Sequence, residues 1–355
     1  MIEILITILQ GLGIFIAMFV VYLLIVAIVP GISVPAQPLK SANVSNKKED
    51  GEPPVSRKDV RFEVKGTSLS AWLYLPENLS APVPCIIMGN GLGGTKDVLL
   101  EQYAVRFQAA GFAVLVFDYR HFGDSEGEPC QLVWIPYQLQ DYAAAVSYAR
   151  SLAEIDAEKI ALWGTSLSGG HVIVAAAKDQ NITCVVAQCP WLDGLATARY
   201  AAKIVGIGRG LRLVMHGQRD IVRSFLGLSP HKIPIAGKTG SVAILPITEA
   251  YEAFATLAAQ NFINEACARI VIRIDKYRPI KYAAKVRCPV LLQICERDEP
   301  LPIQSIDAAA QKMAVSSEVK RYPIGHFDIY VGENFEKSIS DQLNFFKSHL
   351  EDRKQ

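Results

Sequence analysis

The chain has 355 residues, half of them hydrophobic, and a formal net charge of +1 at pH 7. This length accommodates one large domain or two of ordinary size. The near-neutral charge, with no clustered basic stripe, argues against a nucleic-acid-binding protein, because phosphate contacts require such a stripe.

The first predicted element is an uncharged apolar segment over residues 4–29. As a helix that rises about 1.5 Å per residue, it exceeds the roughly 30 Å hydrocarbon core of a bilayer. A cleaved signal peptide usually has a positively charged start and a shorter apolar core. The pattern therefore favours a retained single-pass transmembrane helix at residues 1–29, with secretion after cleavage near residues 33–36 as the alternative.

The segment after this helix predicts both a linker and an orientation. Lys and Arg follow the helix and do not precede it. This asymmetry predicts a cytoplasmic location for the rest of the chain. Residues 30–58 are rich in Pro, Ser, Lys and Asn, which is typical of a flexible tether. The main domain is expected at residues 59–355.

The main domain alternates short apolar runs with helical stretches. Two strands are predicted to pair around the turn near Gly66. Five later runs are typical of strands buried on both faces, at residues 84–90, 112–119, 159–164, 184–189 and 289–295. Helices are predicted between and after them, at about residues 98–110, 134–154, 168–179 and 302–313. This alternation predicts an α/β fold with a mostly parallel sheet and helices on both faces.

Residues from about 194 to 284 interrupt the alternation. They are largely helical in pattern and follow the sixth predicted strand. A lid inserted over the edge of the sheet is one interpretation, and a purely structural insertion is the other.

The segment LWGTSLSGGH, residues 162–171, places two serines directly after a predicted strand. A sharp strand-to-helix turn that presents a nucleophile requires small neighbouring residues. Ser166 lies at the predicted turn, whereas Ser168 falls in the first turn of the helix. We therefore predict Ser166 as the nucleophile, while helix capping is the structural alternative for either serine.

A nucleophilic serine needs a base and an acid that orients the base. His326 lies in a Gly-His loop after the last predicted strand and before a closing helix, so it faces the same sheet edge as Ser166. His121 and His171 are the rival bases. Asp298 follows the strand at residues 289–295, and the chain order Ser, acid, His matches a known arrangement.

Alternatives to Asp298 as the orienting acid stay open in the sequence. They are three nearby carboxylates: Glu296, Glu299 and Asp328.

An oxyanion site is predicted from backbone N–H groups. One donor is expected after the nucleophile, at Leu167, and one in the glycine-rich loop after the third strand, at Leu92. No metal site is predicted, because the seven cysteines show neither a CxxC pair nor another metal-ligand spacing.

Together these motifs resemble the α/β-hydrolase superfamily, and within it a bacterial and fungal group of serine hydrolases and acyl-transfer enzymes. The resemblance rests on FDYRHFGDSEGEPCQ at residues 117–131 and WGTSLSGGH at residues 163–171, and it extends from about Asp59 to the end of the chain. It implies an α/β-hydrolase fold, a Ser166–Asp298–His326 triad and no cofactor. Two departures are Asn90, where many relatives have His, and Cys130, where the group has Arg.

The resulting hypothesis is a serine hydrolase acting on a carboxylic ester or thioester of a small-molecule or lipid-like acyl substrate. A peptidase, an amidase or an acyltransferase could use the same triad. A membrane-tethered binding protein without turnover is the alternative from another class, since fold alone does not fix function. The sequence does not determine the oligomeric state.

Overall fold

The computed structural model describes residues 2–28, 39, 57–77, 79–257, 262–313 and 317–351. The predicted tether at residues 30–58 falls outside this description, apart from Leu39 and the last two residues. Those two residues, Arg57 and Lys58, begin the first strand.

An eight-stranded sheet forms the centre of the main domain, in the order β1-β2-β4-β3-β5-β6-β9-β10. The strands are β1 Arg57–Val64, β2 Thr67–Tyr74, β3 Val83–Gly89, β4 Ala113–Phe117, β5 Ile155–Thr165, β6 Cys184–Gln188, β9 Val290–Cys295 and β10 Ser317–Tyr322. β2 runs antiparallel to β1 and β4, and the other pairs are parallel. The predicted mostly parallel sheet is confirmed.

Helices cover both faces of the sheet. They are α2 Leu100–Ala109, α3 Ile135–Arg150, α4 Leu167–Lys178, α8 Gln304–Ala310 and α9 Gly332–Leu350. Successive strand residues point to opposite faces, so each buried strand supplies two hydrophobic layers. Ile87 and Leu162 pack in the layer under α3 and α4, whereas Ile86 and Trp163 pack in the layer under α2 and α9.

The segment between β6 and β9 carries additional elements. They are α5 Gly194–Val205, α6 Ile207–Phe225, α7 Thr248–Leu257 and a small antiparallel pair, β7 Lys232–Ile233 with β8 Ala266–Cys267. Asp193 caps α5, since its carboxylate accepts hydrogen bonds from the N–H groups of Leu195 and Ala196. The segment between β6 and β9 is thus largely helical, with the short β7–β8 pair within it.

The first helix, α1 Ile2–Ile28, precedes the sheet. Residues Ile2–Ala27 are long and apolar enough to cross a membrane, and a signal sequence would satisfy the same criteria. Most of its side chains are exposed, but Val26 and Ala27 are buried. The end of α1 contacts α6 of the inserted segment.

Candidate active site

Ser166 occupies the turn between β5 and α4, where the sequence predicts the nucleophile. Its φ of 53° and ψ of −118° are costly for a residue with a side chain, and backbone contacts hold this conformation. The Ser166 N–H donates to the Gln188 carbonyl at 2.9 Å, and the Trp191 N–H donates to the Ser166 carbonyl at 2.8 Å. The end of β6 and the loop that follows it therefore fix the strained turn.

Glycines next to this turn allow the backbone to approach closely. A Cβ atom on Gly164 would lie 2.3 Å from the Ser168 carbonyl oxygen, so only glycine fits where α4 folds back on β5. A Cβ atom on Gly91 would lie 3.1 Å from the Ser166 Cβ. The loop after β3 thus lies directly against Ser166.

The second serine of the motif is in a different environment. Ser168 is fully buried, and its hydroxyl is hydrogen-bonded to the Tyr119 hydroxyl and to the Asn90 carbonyl. Ser166 instead lines a cavity. The Ser168 hydroxyl therefore links β5–α4 to the neighbouring loops, whereas Ser166 is the serine of this motif that lines the cavity.

Asp298 and His326 are brought together from loops after β9 and β10. The Asp298 Oδ2 lies 2.5 Å from the His326 Nδ1, and its Oδ1 accepts a hydrogen bond from the Leu301 N–H at 2.8 Å. Both side chains are buried. This arrangement directs the His326 Nε2 away from Asp298, and His326 lines the same cavity as Ser166.

The electrostatic surroundings of His326 favour its protonation. Burial is the largest single influence and lowers its pKa, but the charge and hydrogen bond of Asp298 together with the negative charge of Glu249 outweigh it. The net effect raises the pKa of His326 above 6.5. An imidazole of this kind is well suited to accept a proton from a hydroxyl.

The rival base His171 and the rival acid Asp328 have other roles in the structure. His171 is fully buried and hydrogen-bonded to Tyr277 and Gln138, and burial lowers its pKa to about 3. The Asp328 carboxylate accepts a hydrogen bond from the Gly325 N–H, which shapes the loop that carries His326. Glu296 and Glu299 are exposed.

The loop after β3 is held by Asn90. Its Nδ2 donates to the carbonyls of Thr95 and Val98, both at 2.8 Å, and its Oδ1 accepts from the Gly91 N–H at 2.7 Å. The next N–H along the loop is that of Leu92, a residue that lines the cavity. Asn90, which stands where many relatives have His, therefore fixes this loop through its side-chain amide.

Leu167 begins α4 directly after Ser166. The first N–H groups of a helix have no partner within the helix and carry partial positive charge. Leu92 and Leu167 thus lie on the two segments that flank Ser166, where the sequence analysis expected the oxyanion donors.

The cavity that contains Ser166 and His326 has a volume of about 710 Å³, which includes space open to solvent. Its wall is largely apolar. On the side of the sheet, the loops that carry Leu92, Ser166 and His326 line the cavity. The inserted segment contributes four residues, namely Leu245, Ala253, Phe254 and Leu257. An apolar wall with a few polar groups, here the Ser166 hydroxyl and the His326 imidazole, is typical of a small-molecule site.

Glu249 is a site residue that the sequence analysis missed. It lies in the first turn of α7, and its Oε1 would be 2.6 Å from a Cβ atom on Gly325, the residue before His326. Burial and the charge of Glu299 raise the pKa of Glu249. No local motif marks this glutamate, because its proximity to His326 depends on how α7 packs.

One group of side chains has the composition of a metal site. Ligand atoms of Cys189, Asp298 and His326 lie within 4.8 Å of one another. Burial raises the pKa of the Cys189 thiol well above 9.0, whereas metals bind the thiolate. The carboxylate and the imidazole already bond to each other, so this donor set fits a hydrogen-bonded pair better than a metal centre.

Known proteins are similar to this chain over most of its length. Quorum-quenching protein AidA from Acinetobacter baumannii (strain MDR-ZJ06) is 40% identical over 291 residues, which cover 81% of this chain and 94% of that protein. Thiohydrolase aneE from Aspergillus aculeatus is 38% identical, covering 82% of this chain and 93% of its own.

A solved structure has the same architecture. The α/β hydrolase GrgF from Penicillium sp. sh18 is 25% identical, with a TM-score of 0.71 over 83% of this chain and 99% of that chain. The chain belongs to the α/β-hydrolase family. A more specific family, X-Pro dipeptidyl-peptidase (S15 family), matches residues 65–210 of this α/β hydrolase, the part that contains Ser166.

Proposed function

We propose that this α/β hydrolase cleaves a carboxylic ester or thioester through an acyl-enzyme at Ser166. His326 serves as the base and Asp298 as the acid that orients it. The observation that carries the proposal is the shared cavity: Ser166, on a strained turn, and His326, bonded to Asp298, both line it.

The proposed reaction begins with attack of the Ser166 hydroxyl oxygen on the acyl carbonyl carbon, while His326 accepts the hydroxyl proton. The resulting oxyanion accepts hydrogen bonds from the N–H groups of Leu92 and Leu167. Protonated His326 then donates its proton to the departing alcohol or thiol, leaving the acyl group on Ser166. Asp298 stabilises the imidazolium without taking the proton.

Water completes the cycle. The oxygen of a water molecule attacks the carbonyl carbon of the acyl-enzyme while His326 accepts a proton from that water. His326 then returns the proton to the Ser166 oxygen as the carboxylic acid product leaves. No cofactor is needed for any step. The chemistry therefore depends on residues of this chain and on solvent.

An apolar acyl group is the substrate class that the cavity supports. Leu245, Phe254 and Leu257 from the inserted segment line the cavity together with Leu301 and Val98. Apolar walls favour an acyl chain over a charged peptide, because burial of an uncompensated charge is costly. The thiohydrolase among the relatives is consistent with a thioester as well as an ester.

Labelling with a fluorophosphonate tests for an activated serine. We expect the full chain to be labelled and both Ser166→Ala and His326→Ala to lose labelling, by on the order of 10³-fold or more in rate. Ser168→Ala is the matched control, since it removes a neighbouring hydroxyl and should retain labelling. Circular dichroism of each variant checks folding.

The outcomes separate the alternatives. Absence of labelling in the folded wild-type chain would refute the catalytic proposal and favour the non-catalytic binding protein. If labelling occurs, turnover of matched acyl esters, thioesters and amides identifies the bond that is cleaved. Product analysis with an added alcohol or amine then shows whether the acyl group passes to water or to another acceptor.

A further inference from the structure

The surface of α6 carries an unusual row of exposed apolar side chains. Ile207 is 78% exposed, Leu211 61% and Phe225 88%. Val214 and Met215 are exposed as well. Residues 207, 211, 214 and 215 follow the i, i+4, i+7, i+8 spacing of a single helix face.

These side chains form a concentrated patch, which we call the α6 surface: the exposed apolar residues between Ile207 and Leu228. Among the described residues outside α1, seven of the eleven exposed large hydrophobic side chains belong to it. Isolated exposed apolar residues are ordinary, whereas a contiguous patch indicates a binding surface.

The position of α1 indicates what the α6 surface contacts. Arg219 donates to the Val26 carbonyl at 2.6 Å, and Arg223 donates to the Ala27 carbonyl at 2.9 Å. The last carbonyls of a helix have no partner within it, so these arginines satisfy the end of α1. If α1 crosses a bilayer, α6 is held at the membrane surface where α1 emerges.

The charge of the same segment fits a lipid surface. Five basic residues lie between positions 203 and 223, namely Lys203, Arg209, Arg212, Arg219 and Arg223. The single acid there, Asp220, pairs with Arg269 at 2.6 Å. A helix with basic residues beside an apolar face is typical of binding in the interface of an anionic membrane.

We propose that the α6 surface binds the interface of a bilayer containing anionic phospholipids, next to a membrane-spanning α1. The apolar side chains insert among the upper acyl chains, and Arg212, which lies beside Met215 on the helix, contacts the phosphates. The proposal does not depend on the hydrolase activity.

The test measures the depth of single labels on the full chain in vesicles. An environment-sensitive fluorophore is attached to Leu211→Cys or Phe225→Cys in a Cys130→Ser background, because Cys130 is the exposed native cysteine in the described residues. The vesicles contain phosphatidylcholine, phosphatidylglycerol and a lipid with a nitroxide on its acyl chain. Phe15→Cys in α1 reports insertion, and Val105→Cys, an exposed apolar position on α2, is the matched control.

We expect the lipid nitroxide to quench labels at 211 and 225 several-fold more strongly than the label at 105. The quenching at 211 should fall in Arg212→Gln and in vesicles without phosphatidylglycerol. Quenching at 211 and 225 as weak as at 105, with α1 inserted, would refute the proposal. Two further results would also refute it: an α1 label that is not quenched, or a label at 211 shielded from both lipid nitroxide and aqueous iodide, which indicates a protein partner.

Discussion

His326 is the residue whose ionisation sets the expected pH dependence. In the proposed mechanism only the neutral imidazole accepts the Ser166 proton, and the structure raises the pKa of His326 above 6.5. Activity should therefore rise with pH through an apparent pKa above that value. A kcat/KM profile measures it directly, because this ratio reports the free enzyme.

Asp298→Asn tests the source of that shift. Removal of the carboxylate charge should lower the pKa of His326 and reduce kcat by on the order of 10⁴-fold, since the imidazole loses its orienting partner. Asp328→Asn is the control carboxylate, because Asp328 bonds only the loop backbone in the hydrogen bonds above. An unchanged kcat in Asp298→Asn would contradict the assigned role.

Glu249 gives a second, smaller effect on the same profile. Its negative charge contributes to the raised pKa of His326. Glu249→Gln should therefore move the acidic limb of the kcat/KM profile to lower pH, so that the variant keeps more of its activity in mild acid. Glu252→Gln, an exposed glutamate on the same helix, should leave the limb in place. A merely structural role of Glu249 would lower activity without moving the limb.

At the scale of elements, the contact between β5 and α4 controls the shape of the turn at Ser166. Gly164→Ala would place a methyl group 2.3 Å from the Ser168 carbonyl oxygen, a backbone atom that cannot rotate away. We expect a loss of about 1–3 kcal/mol in the free energy of unfolding, together with slower fluorophosphonate labelling.

Gly208→Ala provides the comparison for that substitution. It adds the same methyl group to α6, where no atom lies within 4 Å, so stability should stay the same or rise by up to about 1 kcal/mol. Thermal unfolding measures both variants. Equal stability of Gly164→Ala and Gly208→Ala would show that the turn tolerates displacement of α4.

At the scale of the whole molecule, the inserted segment and the sheet together form the cavity. Leu257 lies on α7, whereas Ser166 lies at the end of β5. Leu257→Trp should fill part of the cavity and shift the preference towards shorter acyl chains. Leu257→Ala should shift it towards longer ones. Relative kcat/KM over a series of acyl esters measures both, and identical preferences would show that α7 does not bound the acyl site.

Local patterns in the sequence account for much of the architecture. Short apolar runs predict the buried strands, and the resulting mostly parallel sheet is confirmed. Small residues around Ser166 predict the turn, because the atoms that crowd Gly164 belong to Ser168, only four residues further along the chain. The uncharged N-terminal run predicts a helix long enough to span a bilayer, which α1 is. Its orientation and its cleavage stay predictions.

Other features arise only from contacts between distant segments. Glu249 lies near His326 because α7 packs against the loop after β10, and no pattern within the α7 sequence indicates that contact. The segment at residues 206–210 resembles an interruption, yet Gly208 and Gly210 belong to α6. The contact between α6 and the end of α1 likewise joins segments that are far apart in the sequence.

The sequence by itself therefore determined the α/β-hydrolase fold, the predicted nucleophile and the candidate acid and base, because strand periodicity, turn chemistry and chain order are local or ordered properties. Only the tertiary structure decided which carboxylate reaches His326, which serine lines the cavity and which helix the end of α1 contacts. These depend on side chains meeting across the fold, as Asp298 and His326 do at 2.5 Å.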